Sequence, residues 1–199
     1  MTKPTLVLAS KSAIRRQILD GAGLSYEVRA GQTDEGALKR KFLISGAPLT
    51  ELPLVLATAK AMEVTATADE ILIGADQIME MDGKLFDKPA NMAEARQRLL
   101  DMRGKEHRLI GAVVTVRDNK QIWHHTSTTR LKVRQFSEKF LDTYLELEGE
   151  EILYCVGGYK FEGRGAQLFE HVEGDFFSIL GLSLLPLLAH LRDIGAVMS

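Results

Sequence analysis

The sequence predicts an α/β protein with a mixed sheet wrapped around a cleft, and three observations predict it. A continuous apolar run, Thr5 to Ala9, reads as a buried strand, and Ile71 to Met81 is strand-like, opening on three aliphatic residues. Capped helical segments separate them, as crossover connections between parallel strands require. Two dipeptides, Asp82-Gly83 and Asp118-Asn119, stand between strand-like runs, where they specify hairpins. Crossovers give parallel pairs and hairpins give antiparallel pairs, so a sheet that contains both is mixed.

The elements follow in order. Thr5 to Ala9 is the first strand; Ser10 to Ser12 leads into a helix over Ala13 to Ala22, closed by Gly23. Tyr26 to Ala30 is a second strand. Thr33 or Asp34 caps a helix that runs to about Ser45. Leu52 to Thr67 is the next helix, its start restricted by Pro53. Beyond the strand Ile71 to Met81, Asn91 caps a helix ending near Gly104. Arg108 to Arg117 and Gln121 to Arg134 are long strands, and Ser137 caps a helix to Leu147. The glycine-rich run Gly157 to Gly165 precedes a strand over Ala166 to Val172 and a final helix over about Leu182 to Asp193. No repeat, low-complexity segment or flexible linker interrupts this order, so residues 1–199 are expected to form a single domain.

Bulk properties narrow the function. The chain has 199 residues, 45% hydrophobic and 26% charged, enough for a sizeable core. A net charge of -2 gives no sign of nucleic-acid wrapping or of membrane-surface binding, so an anion site must be a local cluster. The single cysteine, Cys155, excludes an intrachain disulfide and a cysteine-based zinc site, and it reads as a structural residue. One early lysine, Lys3, followed by a strand-like run does not make a signal peptide. The longest apolar run, Ile179 to Leu191, is broken by Pro186 and too short to span a bilayer. A cytoplasmic enzyme fits these facts.

Four segments carry candidate chemistry. In Leu8-Ala-Ser-Lys-Ser-Ala-Ile-Arg-Arg16 a buried strand ends in two hydroxyls and a helix begins with an arginine pair. Free N–H groups and the positive dipole end of the helix, with Ser10, Ser12 and Arg15, offer donors to a phosphate. The same pattern reads equally as a capped helix with exposed arginines, and Arg15 and Arg16 cannot both face one ligand. In Ile71-Leu-Ile-Gly-Ala-Asp-Gln77 a carboxylate ends an aliphatic strand, where open α/β sheets place catalytic groups. Asp76 is there either a turn residue or, with Asp34-Glu35, part of a site for a hard cation such as Mg2+. Lys88 in Asp87-Lys-Pro89 is a phosphate contact or an exposed loop lysine, and mid-helix Lys60 reads as part of a solvated face. Gly157 to Gly165 matches neither a Walker A loop nor a dinucleotide fingerprint; its glycines allow close backbone approach to a ligand, and Lys160 and Glu162 are its side chains able to read a base. The five histidines form no metal motif, and no G-x-S-x-G elbow occurs.

Taken in register, seven segments resemble the Maf family of nucleotide pyrophosphatases: LASKSAIRR, the later Asp-Glu, ATAKA, GADQ, DKP, GGYKFEGRG and the closing GDFFSILGL. The match runs from Leu6 to about Arg192. It implies an elongated, two-lobed Maf/ITPase-like α/β fold around a deep cleft. It also implies hydrolysis of a nucleoside triphosphate between its α- and β-phosphates, with a divalent metal cation, Mg2+ or Mn2+. By the same resemblance Asp76 is the proton acceptor, Glu35 helps hold the metal with Asp76, and Lys88 acts with them. Ser10, Arg15 and Lys60 line the polar site. Gln77 and Glu162 stand where the 7-methyl-GTP branch carries Gln and Glu, whereas the dTTP/UTP branch tends to carry Thr and Gln. A buried Glu162 would favour a base made cationic by methylation at N7. The chain departs from the pattern at Ala13 and Ser183, both usually Pro, and at Ile14, where a base-stacking side chain is lost. A homodimer is implied by resemblance only. The competing expectations are a broad enzyme for noncanonical nucleotides, a dTTP/UTP-preferring enzyme, and a non-catalytic nucleotide-binding regulator of cell division.

Overall fold

A computed structural model describes residues 4–198 of the chain, so Lys3 lies outside the described residues. Seven strands form one mixed sheet: β1 (Thr5–Leu8), β2 (Tyr26–Val28), β3 (Glu70–Met81), β4 (Lys84–Phe86), β5 (Glu106–Arg117), β6 (Lys120–Val133) and β7 (Phe169–Glu173). The order is β2-β1-β3-β5-β6-β7, with β4 also on β3. β1 runs parallel to β2 and β3, while β4 is antiparallel to β3 and β7 to β6. The helices are α1 (Ala13–Gly21), α2 (Glu35–Ser45), α3 (Leu52–Met62), α4 (Met92–Met102), α5 (Glu138–Glu148), α6 (Phe176–Ile179) and α7 (Leu184–Asp193).

The expected turns and caps form for the expected reasons. Asp82 and Gly83 take positive φ of 54° and 77° and join Met81 to its partner Lys84. Asp118 and Asn119 do the same at 50° and 56° between β5 and β6. These are the left-handed conformations that a two-residue hairpin requires. Asp34, Asn91 and Ser137 cap α2, α4 and α5, each side-chain oxygen accepting from the backbone N–H three residues on.

Two boundaries and one short helix depart most from expectation. The helix expected over Leu52 to Thr67 ends at Met62. Thr67 donates its N–H to the Glu70 carboxylate and its hydroxyl to Asp69, local bonds that compete with helix continuation. Of the strand expected over Ala166 to Val172, residues 166–168 belong to a 3-10 turn, Arg164–Leu168, closed by Ala166 N–H to Gly163 O, and pairing begins at Phe169. The four-residue α6 is too short to show a helical period in sequence.

The Cα packing divides the chain into two compact units. In the first (described residues 4–77, 111–127 and 176–198), strand alternation sorts the core. Leu6, Leu8, Ile71, Ile73 and Ala75 pack with Ile18 and Leu19 of α1 and Leu187 and Leu191 of α7. Val7, Ala9 and Leu72 pack on the other face with Ala57 and Ala61 of α3. In the second (78–110 and 128–175), Arg96 on α4 binds Glu138 and Asp142 on α5, each at 2.8 Å. His107 is buried there, its Nε2 2.7 Å from the Tyr159 hydroxyl and its ring against Phe169.

Burial holds the His107 pKa down at about 4. A neutral histidine in the fold that charges on unfolding gives the unfolded state more bound protons between pH 4 and 6.5. Stability is therefore fully present above about pH 6.5 and falls as pH drops toward 4, by roughly 3 kcal/mol for this group. His107→Gln keeps a partner for Tyr159 but does not titrate. Urea unfolding at pH 4 to 7 should show a shallower loss in the variant, and parallel curves would refute the assignment.

Candidate active site

Alternation along β3 places two adjacent residues on opposite faces. Leu72, Gly74 and Asp76 face α3, whereas Ile73, Ala75 and Gln77 face the other way. Gly74 decides how close α3 comes. A Cβ on Gly74 would lie 2.3 Å from the Ala57 carbonyl oxygen and 2.9 Å from Ala61 Cβ, so the helix rests directly on the strand backbone. Lys60, on the turn between those residues, is thereby held over Asp76. Its Nζ lies 2.5 Å from Asp76 Oδ1 and 2.9 Å from Glu35 Oε1. Lys60 is thus not on a solvated face, as its position in the helix suggests; its side chain is 16% exposed, and Asp76 is buried. Glu35 stands in the first turn of α2, where the helix dipole favours a carboxylate.

β1 ends beside β3, with Leu8 opposite Ile73 and the Ala9 N–H on the Ile73 carbonyl. Beyond it, Ser12 caps α1 and donates its N–H to Ser10 Oγ. Arg15, the only one of the arginine pair that is buried, donates from Nη1 to Ser10 Oγ at 3.2 Å and from Nε to Gly181 O at 2.9 Å. Burial lowers its pKa, opposed by the charges of Asp76 and then Glu35, so Arg15 shares their electrostatic neighbourhood. Arg16 is exposed. Ile14 is half-buried and packs on the core with α7. Gln77 donates its amide to Ser178 O at 2.7 Å and Ile179 O at 3.3 Å.

In the second unit Lys88 is exposed in the loop before α4, whose backbone is tied by Arg98 Nη1 to the Asp87 carbonyl and, at 2.7 Å, to the Val156 carbonyl. Burial pushes the Cys155 thiol up to about 11, with Glu162 adding to the rise and Lys160 and Lys88 opposing it. Lys88, Lys160 and Glu162, the sequence candidates of this unit, therefore lie within electrostatic reach of Cys155, which is held as a neutral thiol rather than a nucleophile. Glu162 is exposed, not buried, because it lies in an open turn between Phe161 and Gly163. The glycines around it serve the chain's own packing. A Cβ on Gly165 would meet the Lys160 carbonyl at 2.3 Å, and one on Gly157 would meet the Tyr159 ring at 2.2 Å.

Sequence reasoning missed two groups. Arg98 looks like any surface helix arginine; only its burial reveals a loop clamp. The carbonyls of Ser178, Ile179 and Gly181, which aim Gln77 and Arg15, are backbone atoms with no residue signature. Among the described residues no three acidic, histidine or cysteine side chains gather as a metal-holding group, and no helix is long and apolar enough to cross a membrane.

The first unit thus defines a class: an α/β protein with carboxylates, lysine and arginine collected where β1 and β3 run side by side. The Maf-like protein family matches residues 5–194, and the chain belongs to that family. It is 45% identical to a 7-methyl-GTP pyrophosphatase of Rhizobium meliloti (strain 1021), covering 98% of each chain. It is 44% identical to a nucleoside triphosphate pyrophosphatase of Granulibacter bethesdensis, over 96% of this chain and 98% of that one.

Gly74→Ala should destabilise the fold by about 1–3 kcal/mol, because the new methyl group meets a backbone carbonyl. Urea denaturation checks this, and a midpoint equal to wild type would show that α3 does not rest on β3 as described.

Proposed function

We propose that the chain hydrolyses the α-β phosphoanhydride of a nucleoside triphosphate, releasing a nucleoside monophosphate and pyrophosphate. The observation that carries this reading is the Lys60 ammonium between Asp76 and Glu35, beside the buried Arg15. The names of the relatives support it.

The two carboxylates converging on Lys60 are hard oxygen donors. Mg2+ characteristically takes one or two carboxylates plus substrate phosphates, so Glu35 and Asp76 fit such an ion, Mg2+ or Mn2+. When bound, the ion supplies charge neutralisation on the phosphate oxygens and the leaving pyrophosphate. Arg15 keeps three N–H donors beyond the two used on Gly181 and Ser10, and these meet phosphate oxygens. Lys60 exchanges a carboxylate for phosphate. Asp76 accepts the proton of a water as its oxygen bonds to phosphorus, and the electron pair of the broken P–O bond leaves with pyrophosphate. For Lys88 the family resemblance alone supports a role on phosphate.

The substrate we propose is 7-methyl-GTP or another modified nucleotide, from Gln77 and Glu162. Glu162 is exposed, so desolvation plays no part. A carboxylate accepting from the N1–H and amino group of a cationic base carries the preference.

Asp76→Asn should lower kcat by at least about a hundredfold while the protein stays folded. Pyrophosphate release from dTTP, UTP, GTP and 7-methyl-GTP with Mg2+ or Mn2+ tests this, and near-wild-type release by the variant would remove Asp76 as the proton acceptor. Glu162→Gln should change base preference more than maximal rate. An unchanged substrate profile would count against its reading the base.

A further inference from the structure

Gln77 and Arg15 are held by one short segment. Gln77 Nε2 donates to the Ser178 and Ile179 carbonyls, and Arg15 Nε donates to the Gly181 carbonyl. Carbonyl oxygens only accept, so the Gln77 amide must turn its nitrogen to them and its Oε1 away. That oxygen lies beside Gly181, whose φ is +97°. A Cβ built there would be 3.6 Å from Gln77 Oε1 and 3.6 Å from Arg15 Nη2. An acceptor from Gln77 and donors from Arg15 therefore sit side by side against a residue with no side chain.

A row of hydroxyls, buried at Ser178 and Ser183 and half-buried at Ser127, holds the segment itself. Ser183 Oγ donates to Ser127 Oγ on β6 at 3.0 Å and lies 2.8 Å from Ser178 Oγ. Each hydroxyl has one hydrogen, and that of Ser183 is spent on Ser127, so Ser178 must donate to Ser183. Ser178 is 3% and Ser183 4% exposed, which leaves them no water as an alternative partner. Gly111 on β5 keeps room at the far end, since a Cβ there would come within 3.2 Å of Ser127 Oγ.

We propose that Ser127, Ser183 and Ser178 form a positioning relay that anchors the 176–183 segment to the sheet, fixing Gln77 as a pure hydrogen-bond acceptor beside the Arg15 donors. The serines act through these two residues and not on the ligand. Resting on the nucleotide reading above, the relay selects nucleotides that present an N–H or O–H donor to Gln77 next to an oxygen that Arg15 can reach. A ligand offering only acceptors there is repelled by Oε1.

The test reads the Gln77 side-chain amide directly by 15N–1H NMR, its signals assigned by their loss in Gln77→Met. In wild type both amide protons should exchange slowly with water. Ser183→Ala should speed that exchange by about fivefold or more, and Ser183→Thr, which restores the hydroxyl, should return it to near wild type. KM for the hydrolysed nucleotide should rise in Ser183→Ala by a similar factor, with kcat changed less. Where Ser183→Ala does not fold, Ser127→Ala at the half-buried end decides by the same readout. Amide exchange unchanged in the alanine variant, or equally fast in the threonine variant, would overturn the relay. This measurement needs no substrate, so a wild type that releases no pyrophosphate would sink the nucleotide reading alone.

Discussion

The contact of α3 with β3 at Gly74 sets the geometry on which the proposed chemistry depends. A helix stays clear of a strand by the thickness of the side chains between them, but here the strand offers none, and the Ala57 carbonyl takes the space. Small residues on the helix side, Ala57 and Ala61, complete the approach. Lys60 consequently reaches the Asp76 carboxylate of the strand while Glu35 closes on it from α2. A lysine so placed offsets the mutual repulsion of two carboxylates that approach it from different elements. The carboxylate pair thus depends on a packing feature of the core.

The second constraint is the period of two in β3. Asp76 and Gln77 are neighbours in sequence but serve opposite faces. Asp76 meets α3, and Gln77 meets the carbonyls of the segment before α7. Arg15 links the two sets, hydrogen-bonded to that segment at Gly181 and within the electrostatic reach of Asp76 and Glu35. In the proposed reaction Asp76 and Lys60 do the chemistry while Gln77 reads the ligand, and the strand pleat keeps the two tasks apart.

Much of this was legible in the sequence. The strands, the two hairpins and the caps Asp34, Asn91 and Ser137 follow from local rules, because their signals are local: backbone angles only certain residues adopt, and short side chains that reach a nearby N–H. The place of Lys60 was legible only through the family resemblance, not from its local pattern. Within its helix it has the spacing of a surface lysine, and only the long-range contact at Gly74 turns it inward. Glu162 differs from expectation in its burial: Gly157 and Gly165 make room for Tyr159 and the Lys160 carbonyl, and the carboxylate is left exposed. Ser183, which stands where the family usually carries proline, joins a hydroxyl row that no sequence spacing announces.

The most direct test of the central claim is the turnover of Lys60→Met. If the lysine between Asp76 and Glu35 is part of a hydrolytic centre, pyrophosphate release from the preferred nucleotide should fall by about a hundredfold or more, while circular dichroism shows a folded protein. A folded variant that turns over within two- or threefold of wild type would show that the ion cluster is architectural and that the chemistry lies elsewhere.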